Sequence, residues 1–573
     1  NYAFSRCNSL TQVSIPDSVT AIGDYAFFGC LSLTSVSIPD SITTIGEYAF
    51  SNCVSLTSVS IPDSVIMIGG YAFSYCNLMT NIDVAAANPN YASLEGVLFN
   101  KDLTTIVQAP SATAGDYSIP NSVTAIGEGA FVFCESLTSV SIPDSVTTIG
   151  VGAFYLCGLL TRVNIPDSIT VICDYAFYGC ESLTSVSIPD RATTIGDRAF
   201  SSCGSLMNID VAAANPDYAS LDGVLFNKDL TTLVQAPGAI AGGYNIPDSV
   251  TTIGESSFYG CGSFTSVNIP DSVTTIGDYA FSRCNSLTKV SIPDSVTTLG
   301  KSAFFDCYSL RSVSIGNRVT TLSNDVFSYC ELLTSVDIGK SVITIEGRAF
   351  SYCLSLTSVS IPDGVTIIGK GAFSYCESLT KVSIPDSVTT IGEGAFYSCE
   401  LLTSVTFLGD APNSLGDSVF GSDSNGYIPG LTFYFYQGAL GFTTPSWEGY
   451  PIEMLSLGLQ TVEEFSEFQT IDEDWVHVSW LGLIETSQTP WIYHREVGFM
   501  YFESTTDPKT NNIEDQEWFY IPNHGWYQFQ ESAYPYIYSY SDSEWKYLQG
   551  SSEEAWIYSF VDQEWELIRS VSN

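Results

Sequence analysis

The residues best able to do chemistry in this 573-residue chain are its 16 cysteines, and 15 of them lie on a ruler. Cys7, Cys30, Cys53 and Cys76 are 23 residues apart. So are Cys134, Cys157, Cys180 and Cys203, and then Cys261, Cys284, Cys307, Cys330, Cys353, Cys376 and Cys399; the two gaps between runs are 58 residues. A fixed period in this range marks stacked supersecondary units. Equivalent thiols in adjacent units could pair as disulfides. But fifteen is odd, all would point the same way, and no CxxC pair of the zinc-binding kind occurs. The column reads as reduced, inward-facing thiols. Cys173 stands apart, replacing a glycine of the repeat at a position nearer the surface.

Aspartates form a second column: Asp17, Asp40, Asp63, Asp144, Asp167, Asp190, Asp248, Asp271, Asp294, Asp363 and Asp386. Stacked like charges invite a calcium reading, but one oxygen ligand per repeat is thin for that ion. Asn121, Asn317 and Lys340 also interrupt the row. The other reading has each Asp bonding its own Pro-Asp-Ser turn and facing water. No metal or cofactor is expected. Nor is an enzyme. His477, His494 and His524 all follow the repeats, so no Ser–His or Cys–His pair is possible within them. Those histidines lack a spacing such as HExxH, and carboxylates are too many to single out a glycosidase-like pair.

Binding is better served than catalysis. The two positions before each cysteine carry aromatics at roughly one per repeat: Phe28, Tyr75, Phe133, Tyr155, Tyr178, Tyr259, Phe305, Tyr329, Tyr352, Tyr375 and Tyr397. Such a rim is either a recognition edge or a set of rings half-buried against neighbouring repeats. The alternate positions of the repeat's first strand are mostly serine, as at Ser35/Ser37, Ser139/Ser141 and Ser358/Ser360, with Arg162, Lys289 and Lys381 as exceptions. That makes a weak surface for hot spots, which favour aromatics and Arg; an ice or polysaccharide lattice is a minor reading.

These residues need elements to position them. In residues 33–53, Val36 and Ile38 alternate with Ser35 and Ser37, which is strand periodicity. Pro39-Asp40-Ser41 turns the chain, Ile42 to Ile45 is a second extended piece, and 47–53 reads as a helical turn. One such coil cannot bury its apolar side alone; stacking does that. The 58-residue gaps hold a second repeated element near 79–118 and 206–245. Its stretch GVLFNKDLTTIV at 96–107 has the strand–turn–strand look of a hairpin.

The pattern LxxVxIPxxVxxIGxxAFxxC resembles the BspA-like leucine-rich repeats of bacterial and protist surface proteins, over about 400 residues. The resemblance implies a leucine-rich-repeat solenoid of short strands, turns and short helical segments. It also implies secretion or surface display and a role in adhesion or recognition. It names no ligand and supplies no catalytic residues. Pro-Asp-Ser stands where ordinary leucine-rich repeats have an Asn, so their binding rules do not transfer.

Composition sets the limits. Net charge is −43, which argues against nucleic acid and against anionic membrane surfaces. No apolar run approaches the ~18 residues of a membrane span. The chain opens at Asn1 inside a repeat, so upstream sequence, with any export signal, is expected. All cysteines lie at or before Cys399 and all nine tryptophans at or after Trp447. We therefore expect a solenoid at 1–407, a closing segment at 408–455 and a small, mainly β aromatic domain at 456–573. Residues 404–450 resemble the segment that follows the last such repeat in bacterial surface proteins. The tail has a period of its own: Trp491 to Tyr493 then Phe499, Trp518 to Tyr520 then Trp526, Tyr536 to Tyr538 then Trp545, Trp556 to Tyr558 then Trp565. It reads as four hairpin-like units, similar to aromatic tails of bacterial surface proteins and more faintly to choline-binding repeats, whose Gly-Trp spacing it lacks. Trp491, Trp518, Trp526, Trp545, Trp556 and Trp565 are its candidate binding aromatics. The expected function is a secreted or cell-surface adhesion protein presenting an extended surface to a protein or glycan. The alternatives are a spacer or surface-layer component without specific ligand, and a carbohydrate-active enzyme acting through the tail.

Overall fold

The computed structural model describes residues 1–455, except 424, 425 and 437, and beyond them the backbone of eleven strands between Phe468 and Ser570. It divides into two compact units, one of residues 1–406 with 411–431, the other of 407–410 with 432–573. The first unit belongs to a β-solenoid of about 19 turns.

Each regular coil has three sides. The first is a short strand such as Ser35–Ser37, paired in parallel with Gln12–Ser14 of the preceding coil, Ser35 opposite Gln12 and Val36 opposite Val13. Pro39 then ends the strand without forfeiting a donor, because proline has no N–H. Its carbonyl accepts from Ile42 N at 3.0 Å and closes the turn. The second side is Thr44–Ile45, in register with Ala21–Ile22 on one side and Met67–Ile68 on the other. The partners are 23 residues apart, so the sequence period is the hydrogen-bond register.

The third side departs from expectation. Residues 47–53 form no helical turn, and there is no helix among the described residues. The amides of Tyr48, Phe50 and Asn52 donate to the next coil, at Gly70, Ala72 and Ser74. Those of Ala49, Ser51 and Cys53 instead donate three residues back, to Gly46, Tyr48 and Phe50. A helix would claim every amide for itself; here every second one is claimed by the neighbour. To alternate in this way the backbone enters the left-handed region twice per coil, five residues and one residue before the cysteine, as at Tyr48 (φ 52°) and Asn52 (φ 59°). Single residues tolerate this at a cost, here offset by the inter-coil bonds.

Inside the coil, Phe27, Phe50 and Phe73 stack with ring centres 5.2 and 5.6 Å apart, and the column resumes from Phe131 through Phe154 and Phe177 to Phe200. Such contacts are worth about 0.5–1.5 kcal/mol each beyond their buried area. The cysteines lie beside them. Cys53 Sγ donates to Phe27 O at 3.2 Å and Cys76 Sγ to Phe50 O at 3.2 Å, a bond repeated down the column. Fourteen of the 16 cysteines are buried, Cys7 is exposed, Cys173 is intermediate, and all are free thiols.

The irregular units hold the expected hairpin, Val97–Asn100 against Thr105–Gln108, and a second that the sequence reading missed, Tyr91–Leu94 against Val97–Asn100. Its turn is Glu95-Gly96, both at positive φ, as a two-residue hairpin turn requires. Val97, Leu98 and Phe99 are all buried: Leu98 packs with the upstream coils, Val97 and Phe99 with the downstream core. Residues 206–245 repeat the arrangement.

Residues 414–420, within the expected closing segment, continue the coil: Ser414–Leu415 pairs with Thr390–Ile391, and Phe420 stacks on Phe396 at 5.4 Å. In the second unit, Trp447 lies among Phe407, Phe433 and Phe442 at 5.1–5.7 Å. The tail strands form an eleven-stranded antiparallel meander, each strand paired with the next in sequence. Its register sets Tyr493 opposite Phe499, Tyr520 opposite Trp526, Tyr538 opposite Trp545 and Tyr558 opposite Trp565.

Candidate partner-binding edge

The left-handed positions define one edge of the first unit, and its outward residues run in two neighbouring columns. One holds the aromatics one or two places before the cysteine. The other holds residues five places before it.

The first column contains the rim read from the sequence, and it is continuous in two stretches. Tyr75 meets Phe133, which meets Tyr155 at 5.7 Å; Tyr155 stacks on Tyr178 at 5.0 Å, and Tyr178 lies 6.1 Å from Tyr259. Further on, Phe305 packs edge-on against Tyr329 at 5.4 Å, Tyr329 stacks on Tyr352 at 4.5 Å, Tyr352 on Tyr375 at 4.4 Å, and Tyr375 meets Tyr397 edge-on at 5.9 Å. Both hydroxyls of the last pair donate to the carboxylate of Asp423, at 2.8 Å each. That hydrogen bond, above all, pushes the Tyr375 and Tyr397 phenols above their usual range. Most rim rings are half-buried. Tyr329 is exposed at 38%, whereas Tyr259 is buried at 8% and offers no free edge. Phe28 joins the second column, edge-on to Tyr25 at 5.7 Å.

That second column went unread in the sequence, although alignment on the Gly-x-Tyr-Ala-Phe stretch displays it. Tyr2, Tyr25, Tyr48 and Tyr71 stack at 4.8–5.1 Å in the first four coils. The irregular units keep only a remnant of the third side, with the Ala109 amide donating to Ala130 O, and the outer column passes straight across them: a Cβ on Gly129 would lie 2.5 Å from the Tyr71 ring, 58 residues earlier. At the second crossing, the Arg198 guanidinium sits 4.7 Å from the Tyr259 ring, 4.5 Å from Tyr279 and 5.7 Å from Tyr175. Its Nε donates to Ser256 Oγ at 2.8 Å and pairs with Asp197 at 3.4 Å. Burial raises the Asp197 pKa, with Arg198 opposing; burial also raises that of Glu255, reinforced by Asp197 and Asp278. This is a clamp that joins coils on either side of an insertion, and it explains why Tyr259 is covered.

In the C-terminal coils the second column changes. Beyond Tyr279 it reads Ser302, Asp325, Arg348, Gly371, Gly394 and Ser418. Where tyrosines would stack there is now a groove of about 850 Å³, walled by the Tyr329–Tyr352–Tyr375 ladder and flanked by Lys301, Arg348 and Lys370. Lys370 pairs with Glu393 at 2.7 Å. Burial raises the Asp325 pKa, while Arg348 and Lys301 oppose it.

The serine positions of the first strand face outward, as at Ser35, Ser37, Ser58 and Ser60, with Val59 buried between the last two. Among the described residues no group of three or more His, Cys, Asp or Glu could hold a metal ion, and no helix is long and apolar enough to cross a membrane. The candidate tail aromatics Trp491, Trp518, Trp526, Trp545, Trp556 and Trp565 fall on strands of the meander. Their side chains, and His524, lie outside the described part.

Comparison with known proteins gives a consistent picture. The profile of the BspA type leucine rich repeat region matches in six copies, over residues 1–114, 111–219, 243–357 and 344–428. No curated protein sequence matches. Among solved structures the chain is similar to a leucine-rich repeat protein from Eubacterium ventriosum (25% identity, 66% of this chain and 88% of that one, TM-score 0.43). It is also similar to a leucine rich cell surface protein from Faecalibacterium prausnitzii (29%, 70% and 88%, TM-score 0.37), and to a leucine-rich repeat protein from Bacteroides ovatus (26%, 76% and 88%, TM-score 0.35).

Proposed function

The chain belongs to the BspA-type leucine-rich repeat family, and from that premise we propose that it is a secreted or surface-displayed binding protein whose recognition surface is the aromatic edge of its solenoid. The supporting observation is how unevenly the side chains suited to binding are distributed. The strand face is mainly small hydroxyls and carries few anchors. The edge gathers tyrosines, phenylalanines and, in its C-terminal stretch, cations within reach of a partner. Binding energy concentrates on such residues. The partner is a protein or a glycan of a cell surface or matrix.

The test uses the full chain against a panel of intact cells, immobilised matrix proteins and glycans. Tyr329→Ala with Tyr352→Ala should weaken binding about tenfold or more, with the thermal unfolding profile confirming the fold. Ser358→Ala with Ser360→Ala on the strand face should change nothing. Equal loss in both variants would reject the edge as the recognition surface.

One observation favours a second reading, a spacer without specific ligand. The edge rings stack on one another and end on Asp423, so the edge satisfies itself. Failure of the full chain to bind any member of the panel would favour that reading.

A further inference from the structure

We infer that the groove along the C-terminal coils is a binding site for a linear acidic polysaccharide, one built of uronic-acid or comparably anionic sugar residues. The inference rests on the binding function proposed above and names its ligand class.

The groove exists because of particular residues. Five places before the cysteine the N-terminal coils carry Tyr25, Tyr48 and Tyr71, which fill this side with stacked rings. The equivalent positions Ser302, Gly371 and Gly394 leave it open. What remains is a trough across successive coils rather than a closed pocket, so it suits a chain and not a compact small molecule.

Charge selects the chain. Over its length the protein carries 19 Lys and Arg against 62 Asp and Glu. The groove is lined by three cations, Lys301, Arg348 and Lys370, against two carboxylates, Asp325 and Glu393. Lys370 is paired with Glu393, and Asp423 stands at the end of the tyrosine ladder, so the trough is close to neutral within a strongly acidic protein, and an anion meets less repulsion there.

The tyrosines point the same way. Tyr329, Tyr352 and Tyr375 stack face to face at 4.4–4.5 Å, so their faces are occupied by one another and are not offered to the apolar face of a neutral sugar. They present ring edges, the positive part of the aromatic quadrupole. Finally, coils follow one another at about 4.8 Å, close to the length of one pyranose residue, whereas an extended peptide advances only about 3.3 Å per residue. One sugar residue can therefore meet each coil, whereas an extended peptide returns to register only at every second coil.

Binding of the full chain to polygalacturonate, with dextran and poly-glutamate as controls, tests the inference by titration calorimetry at low and raised salt. Polygalacturonate should bind, dextran and poly-glutamate should bind at least about tenfold more weakly, and affinity should fall with salt. Gly371→Tyr with Gly394→Tyr should abolish binding by filling the trough. The new side chains occupy the left-handed conformation that Tyr48 and Tyr71 already adopt, so the fold is preserved. Lys301→Gln, Arg348→Gln and Lys370→Gln together give an independent variant and should lower affinity about tenfold. Preference for dextran, equal binding of poly-glutamate, or undiminished binding by the filled variant each overturns the inference. A chain that binds cells or matrix proteins but not polygalacturonate overturns it and leaves the binding function standing. A chain that binds nothing removes both.

Discussion

The cysteine column shows what one residue type does when repeated. Twelve of the fourteen buried thiols donate to a phenylalanine carbonyl 26 residues earlier, near 3.2 Å; Cys134 and Cys261, which follow the insertions, donate to Pro110 O and Pro237 O instead. Burial raises the pKa of all of them, to about 12 at Cys76, Cys203 and Cys376. A thiol that stays protonated and buried is a poor nucleophile. Ellman's reagent at pH 8 should therefore label Cys7 quickly and Cys173 slowly in the native protein. The other fourteen should react only after unfolding; labelling of more than two thiols before unfolding would contradict the burial seen here. This column was legible in the sequence because its 23-residue spacing holds throughout each of three runs and its number is odd. Arg198 was not. Nothing in a single coil indicates that an insertion will bring Ser256 and Tyr279 to it from two different later coils.

At the scale of the element, the irregular units succeed because each is pinned by one buried asparagine. Asn88 Nδ2 donates to Pro62 O at 2.7 Å and Val65 O at 2.9 Å, while its Oδ1 accepts from Asn90 N and Tyr91 N. Asn215 repeats all four bonds, with Pro189, Ala192, Asp217 and Tyr218. Both asparagines are fully buried, and an orphaned buried polar group costs about 1–3 kcal/mol. Asn215→Ala removes the side-chain partner of Ala192 O and of the Asp217 and Tyr218 amides and leaves Pro189 O with the Ala192 amide alone, so it should lower stability by about 2–4 kcal/mol in a urea titration. A change below about 0.5 kcal/mol would mean that water replaces the side chain. The hairpin of Val97–Asn100 and Thr105–Gln108 was readable from its alternation and its Asn-Lys-Asp turn. The Glu95-Gly96 hairpin and the asparagine pin were not, because Asn-Pro-Asn reads locally as an ordinary turn. The third side of the coil misled for the opposite reason: its Ala and Phe suit a helical turn, and only the neighbouring coil, by accepting every second amide, makes the alternating backbone cheaper than a helix.

At the scale of the whole molecule, alignment of equivalent residues makes small effects cumulative, and pH exposes this. A thiol whose pKa is raised in the folded state favours folding below its unfolded value of 9.0 and loses that advantage as pH climbs toward the folded value. For Cys76, Cys203, Cys261, Cys307 and Cys376 that window runs from 9.0 to about 12. Every buried thiol raised in this way acts in the same direction, so the losses add along the column. Rising alkalinity also strips protons from lysines in a chain already at −43, which adds self-repulsion to the compact state. Under reducing conditions the unfolding temperature should therefore hold steady to about pH 9 and fall steeply above it. The variant Cys76→Ala with Cys203→Ala and Cys376→Ala separates the two causes. It should be less stable at pH 7 through lost packing, yet lose stability less steeply between pH 9 and 10, because three of the titrating groups are gone. An unchanged slope in that variant would assign the alkaline transition to charge repulsion alone and leave the cysteine column with a packing role only.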